Sequence, residues 1–116
     1  MTTKTLTEAD DAVVLDVHPD DHVVVELAEN ATTGYRWQLE RLEGPATLEE
    51  DGYAPMTEPL GATSEDVVIG RGGIRQFRFR VVGPGTVELA LRHWQEWSGE
   101  DSVTARFRAT LRSLSP

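Results

Sequence analysis

Hydrophobic and polar residues alternate in short runs along this 116-residue chain. The clearest run lies near the C-terminus, where Val103, Ala105, Phe107, Ala109 and Leu111 alternate with Thr104, Arg106, Arg108, Thr110 and Arg112. Successive strand side chains point to opposite faces, so this run predicts a strand with one apolar and one arginine-rich face. Val87, Leu89 and Leu91 alternate in the same way with Glu88, Ala90 and Arg92, and Phe77, Phe79 and Val81 with Gln76, Arg78 and Arg80. Earlier runs fall at Val13–Val17, Val23–Ala28 and Tyr35–Leu42, with a weaker one at Ala46–Leu48. Turn chemistry separates them at Pro19-Asp20-Asp21, Gly44-Pro45, Gly83-Pro84-Gly85 and Ser98-Gly99-Glu100-Asp101. No stretch carries a capped helical period; the best helix candidate, Thr7 to Asp11, is short and poor in apolar residues. Six or seven short strands with one apolar face predict an all-β sandwich. Trp37, in the third of them, is expected to be buried.

Length sets the domain count. At about 150 residues per domain the chain holds one, spanning 1–116, with residues 1–11 set apart as a flexible N-terminal segment. The absence of cysteine excludes disulfides, Cys-ligated zinc, iron–sulfur clusters and cysteine nucleophiles. No apolar run approaches the ~18 residues of a membrane-spanning helix. The N-terminus lacks the layout of a secretion signal, so the chain as it stands is expected to be cytoplasmic, or secreted or periplasmic where a leader has been removed.

The charge is unevenly distributed. Residues 1–66 hold 16 acidic and 3 basic side chains, net −13, whereas residues 67–116 hold 4 and 8, net +4. A total of −9 argues against nucleic acid as the main partner. Arg78, Arg80, Arg106, Arg108 and Arg112 are therefore expected to face acidic neighbours from the first half, or solvent.

Candidate chemistry is sparse. His18-Pro19-Asp20-Asp21-His22 has metal-ligand residue types, but Pro-Asp-Asp is ordinary turn chemistry and no third ligand stands at a recognisable spacing. The acidic run Glu49-Glu50-Asp51 reads as a solvated surface rather than a catalytic pair. No nucleophile elbow or triad context appears. Gly70-Arg71-Gly72-Gly73 leads into a strand, not into the helix a phosphate-binding loop requires. No cofactor or metal is expected. Of the two neighbouring indoles, Trp94 lies one residue past its alternating strand and is expected to be exposed, as a binding hot spot would be. Trp97, at the loop's return, divides evenly between core and surface.

Three inter-strand segments carry a resemblance. Asn30-Ala31-Thr32-Thr33-Gly34-Tyr35 resembles the Asn-Pro-Thr-Thr-Gly-Phe/Tyr signature of the chagasin family, protein inhibitors of papain-like cysteine peptidases. Gly70-Arg71-Gly72-Gly73 is similar to that family's Gly-x-Gly-Gly, and Arg92-His93-Trp94 to its Arg-Pro-Trp. The order is the family's, and each motif falls between predicted strands. The resemblance implies an immunoglobulin-like β-sandwich of about seven strands whose B–C, D–E and F–G loops form a wedge that fills a peptidase cleft. It implies a central loop of Asn30, Ala31, Thr32, Thr33, Gly34 and Tyr35, with Thr32 and Thr33 nearest the catalytic cysteine. Gly70, Arg71, Gly72 and Gly73 would meet the cleft wall through backbone, and Trp94 would pack on the primed side beside Arg92 and His93.

Two residues depart from the family pattern. Ala31 and His93 both stand where the family has proline, which costs about 0.4–1 kcal/mol of pre-organisation per site. His93 also brings a titratable group to the interface. The sequon Asn30-Ala31-Thr32 is expected to be unmodified in inhibitory protein, since a glycan there would bar entry to a cleft. The expected function is reversible, non-covalent inhibition by a monomer, with a papain-like cysteine peptidase as partner and neither nucleic acid nor membrane. The alternative is an immunoglobulin-like module that uses the same loop end for a non-peptidase protein. An enzyme is not expected.

Overall fold

A computed structural model describes residues 2–29, 33–55 and 73–114. These form eight strands: β1 (Thr3–Leu6), β2 (Val13–Val17), β3 (His22–Glu29), β4 (Arg36–Glu43), β5 (Ala46–Pro55), β6 (Gly73–Val81), β7 (Gly85–Trp94) and β8 (Ala105–Ser113). They divide into two four-stranded sheets, ordered β1-β3-β6-β5 and β2-β8-β7-β4. β1 on β3 and β2 on β8 pair parallel, and the remaining pairs are antiparallel. The chain changes sheet after β1, β2, β3, β4 and β6, which gives the immunoglobulin-like sandwich.

The core lies between the sheets and is supplied by the alternating positions. Phe77, Phe79 and Val81 of β6 face Val87, Leu89 and Leu91 of β7 and Phe107 and Leu111 of β8, all at most 2% exposed. Full burial of each such side chain is worth roughly 1.5–3 kcal/mol relative to exposure. Trp37 is 7% exposed and belongs to the same cluster, as the sequence predicts.

Three elements differ from the sequence expectation. Within the segment set apart at 1–11, Thr3–Leu6 is a strand, held by its parallel ladder to β3 and by burial of Leu6. The helix candidate reduces to one 3₁₀ turn at Glu8–Asp10, begun where the Thr7 backbone N–H donates to Asp10 Oδ2 at 2.9 Å. The weak strand at Ala46–Leu48 extends to Pro55, because a bulge between Leu48 and Glu50 restarts the pairing with β6 in a new phase.

Candidate functional site

Strand register decides where the loops leave the sandwich. In one sheet Glu29, the last residue of β3, lies opposite Gly73, the first of β6, which also lies opposite Pro55, the last of β5. In the other sheet Arg36 opens β4 opposite Trp94 at the end of β7, and His93 lies opposite Ala105 at the start of β8. The described residues that flank segments 30–35, 56–72 and 95–104 therefore lie at the same end of the sandwich. That end is fastened between the sheets: the Trp37 backbone N–H donates to Glu29 Oε1 at 2.6 Å, and its indole N–H donates to the Ala28 carbonyl at 3.0 Å.

Beneath the central loop sits a buried ion pair. Arg75 Nη2 donates to Glu29 Oε2 at 2.8 Å, and Nε lies 3.2 Å from both carboxylate oxygens. Arg75 also reaches Asp51 at 3.1 Å and lies over the Tyr53 ring. Its charged form is favoured first by hydrogen bonding to Glu29, against the cost of burial. The strand end that precedes Asn30 is thereby fixed by groups from β4, β5 and β6. Sequence reading missed this pair, since 46 residues separate its members.

Of the central loop, Asn30, Ala31 and Thr32 lie outside the described residues, as do Gly70, Arg71 and Gly72 of the second motif. Thr33 is exposed; its Oγ1 accepts the Tyr35 backbone N–H at 3.2 Å, and its carbonyl accepts Gln95 Nε2–H at 3.2 Å. Gly34 has φ +78°, a left-handed conformation open to glycine at little cost. A side chain there would collide with Cη2 of Trp97 and start 2.8 Å from its Cζ2. Gly73 is buried within the sheet between β3 and β5, as part of the stem.

Arg92, His93 and Trp94 are the last three residues of β7, not a loop. Alternation sends Arg92 and Trp94 to the outer face and His93 inward. The Arg92 guanidinium carbon stands 3.5 Å from the Trp94 ring centroid, while Nη1 donates to Glu100 at 2.6 Å. Trp94 is half-buried, and its indole N–H finds no hydrogen-bond partner among the described residues. The His93 ring packs against Trp37 and Tyr35, with centroids 5.1 and 5.5 Å away, and its Nδ1 is 2.9 Å from Thr104 Oγ1. Burial pushes the His93 imidazole below its usual value, partly offset by the Glu29 charge. In place of the family's proline, an inward histidine thus closes the top of the core.

Trp97, evenly divided between core and surface in sequence, lies at the surface, and Trp94, expected to be exposed, is the more covered of the two. Trp97, on a 3₁₀ turn at Glu96–Ser98, is 73% exposed, whereas Trp94 is partly covered by Arg92. The cause is strand length: β7 continues past Arg92 because β4 and β8 still pair with it there.

Elsewhere the charged residues pair as the sequence predicts. Arg106 meets Glu40 at 2.9 Å, Arg112 meets Asp16 at 2.7 Å and Arg80 meets Asp20 at 2.9 Å. At the His18–His22 turn, the Asp21 carboxylate accepts the backbone N–H groups of Thr2 and His18 at 2.9 and 3.0 Å.

Residues 16–111 match the family described as Chagasin family peptidase inhibitor I42. Chagasin of Trypanosoma cruzi is 28% identical over 114 residues, covering 93% of this chain and 96% of that protein. The crystal structure of the cysteine protease inhibitor EhICP2 from Entamoeba histolytica superposes with a TM-score of 0.83 at 22% identity, covering 98% of this chain and 97% of that one. PbICP-C, solved in complex with falcipain-2, superposes with a TM-score of 0.53 at 14% identity, over 98% of this chain and 89% of that one. These two likenesses concern the fold. With the match over 16–111 added to this sandwich, the chain belongs to the chagasin family of peptidase inhibitors, a family of binding proteins and not of enzymes.

Proposed function

We propose that this protein inhibits papain-like cysteine peptidases reversibly and without covalent chemistry, by filling the active-site cleft with the three segments 30–35, 70–73 and 92–94. One observation carries the reading: in a member of a peptidase-inhibitor family, the stems of all three loops converge on one end and are locked together through Glu29, Trp37 and Arg75. The relatives support the choice of target, since EhICP2 is a cysteine protease inhibitor and PbICP-C was solved on falcipain-2. A rigid base lowers the ordering cost of association, so short loops on it retain more of their contact energy. Thr32 and Thr33 are assigned to the catalytic cysteine's vicinity, 70–73 to the cleft wall, and Arg92 with Trp94 to the primed side.

Titration of papain with the purified protein tests this. The expected result is competitive inhibition, activity recovered on dilution and an inhibitor chain of unchanged mass. No inhibition, or cleavage of the chain as a substrate, would overturn the reading.

A further inference from the structure

Trp97 is the most exposed of the large hydrophobic side chains among the described residues, at 73% against 60% for Val14, 50% for Val82 and 41% for Leu114. It is also the one beside the central loop, where Gly34 leaves room for the edge of its indole. The turn that carries it is tied to that loop and its stem. Gln95 donates to the Thr33 carbonyl at 3.2 Å, and Glu96 pairs with Arg36 at 2.9 Å. The turn is braced internally as well, with the Gln95 backbone N–H donating to Ser102 Oγ at 2.9 Å and Ser98 Oγ donating to Gln95 Oε1 at 3.0 Å. An indole in water that is held in one place presents apolar area at little further entropy cost, the property of a binding hot spot.

Building on the proposed function, we infer that Trp97 is a fourth contact of the binding end. It packs on an apolar patch of the peptidase surface at the cleft rim, next to the point where the central loop enters. Its indole edge lies against Gly34, which puts it within reach of a body that receives Thr33 and Gly34. Because the patch lies on the rim and not at the catalytic groups, Trp97 discriminates among peptidases by the polarity of their rims.

The test compares inhibition of papain by wild type and Trp97→Ala, beside thermal melts and ¹⁹F spectra of protein labelled with 5-fluorotryptophan. The Trp97 resonance is assigned by its loss in Trp97→Phe. The expected result is an inhibition constant raised about 30-fold in Trp97→Ala, an unchanged melt, and a Trp97 resonance whose H2O/D2O solvent shift disappears on binding papain. If wild type inhibits while Trp97→Ala stays within about twofold of it, the contact is overturned and the loop wedge stands. The contact is equally overturned if affinity falls but Trp97 keeps its full solvent shift in the complex, since the indole then acts only by bracing Gly34. If wild type does not inhibit, both the function and the contact fail.

Discussion

Arg75 forks onto both carboxylate oxygens of Glu29 at the point where β3 gives way to the central loop, and Glu29 simultaneously receives the Trp37 backbone N–H from the opposite sheet. The Glu29 side chain is 2% exposed and that of Arg75 16%. Removing one partner leaves the other buried and unbalanced, so Arg75→Ala should destabilise the fold by about 3 kcal/mol. Urea unfolding of the variant measures this. Replacing both residues by leucine should cost less than Arg75→Ala alone, since no charge is then left buried.

His93 makes stability depend on pH. Its folded value is depressed, first by burial, so the unfolded chain takes up the proton more readily than the folded one. The contribution is fully present above the ordinary imidazole value of about 6.5 and is lost as pH falls through the lower folded value. The urea midpoint should therefore drop between pH 7.5 and 5.5. In His93→Phe, which keeps a ring between Tyr35 and Trp37, the drop should be smaller; an equal drop would assign it to other groups.

Trp94 and Thr33 should affect binding unequally. Trp94→Ala removes the ring beneath Arg92 and should weaken papain inhibition by about 2 kcal/mol. Some stability, about 1 kcal/mol, should go with the lost cation–π contact. Thr33→Ala removes one neutral acceptor and should cost about 1 kcal/mol of binding. Inhibition constants and melts of the two variants, measured side by side, check the ranking.

Gly44 gives the control at the far end. It turns β4 into β5 at φ +101°, and a Cβ there would run into the Thr86 carbonyl and start 2.9 Å from Val87 Cα. Gly44→Ala should lower stability by about 2 kcal/mol through strain. Inhibition per folded molecule should stay at the wild-type value, because the binding loops lie at the opposite end.

Period-two alternation made β6, β7 and β8 legible, since each exposes one face and buries the other. It could not find β1, whose Thr3-Lys4-Thr5 has no apolar alternation and is held by β3. It stopped β5 short at Leu48, where the bulge shifts the phase. The first motif runs directly on from β3, but the third, Arg92-His93-Trp94, proves to be the end of β7 and not a loop. Which indole faces water was not legible, because the end of β7 is set by partners on both sides and the cover of Trp94 by an arginine two residues back. Glu29 looks like a surface acid in sequence, and only the register with β6 brings Arg75 beside it.

The strand order has a consequence for biosynthesis. Of the six ladders among the described residues, β1 with β3 alone lies wholly within the first five strands; the other five each require β6, β7 or β8. A nascent chain that has emerged only as far as residue 66 therefore carries net charge −13 and can close neither sheet. The arginine-rich remainder supplies both the missing central strands and the compensating charge, in β6 for one sheet and in β7 and β8 for the other. Such distant pairings are slow to form. The front half must wait as an extended, self-repelling polyanion, a state that itself discourages sticking to neighbouring chains until its partners leave the ribosome.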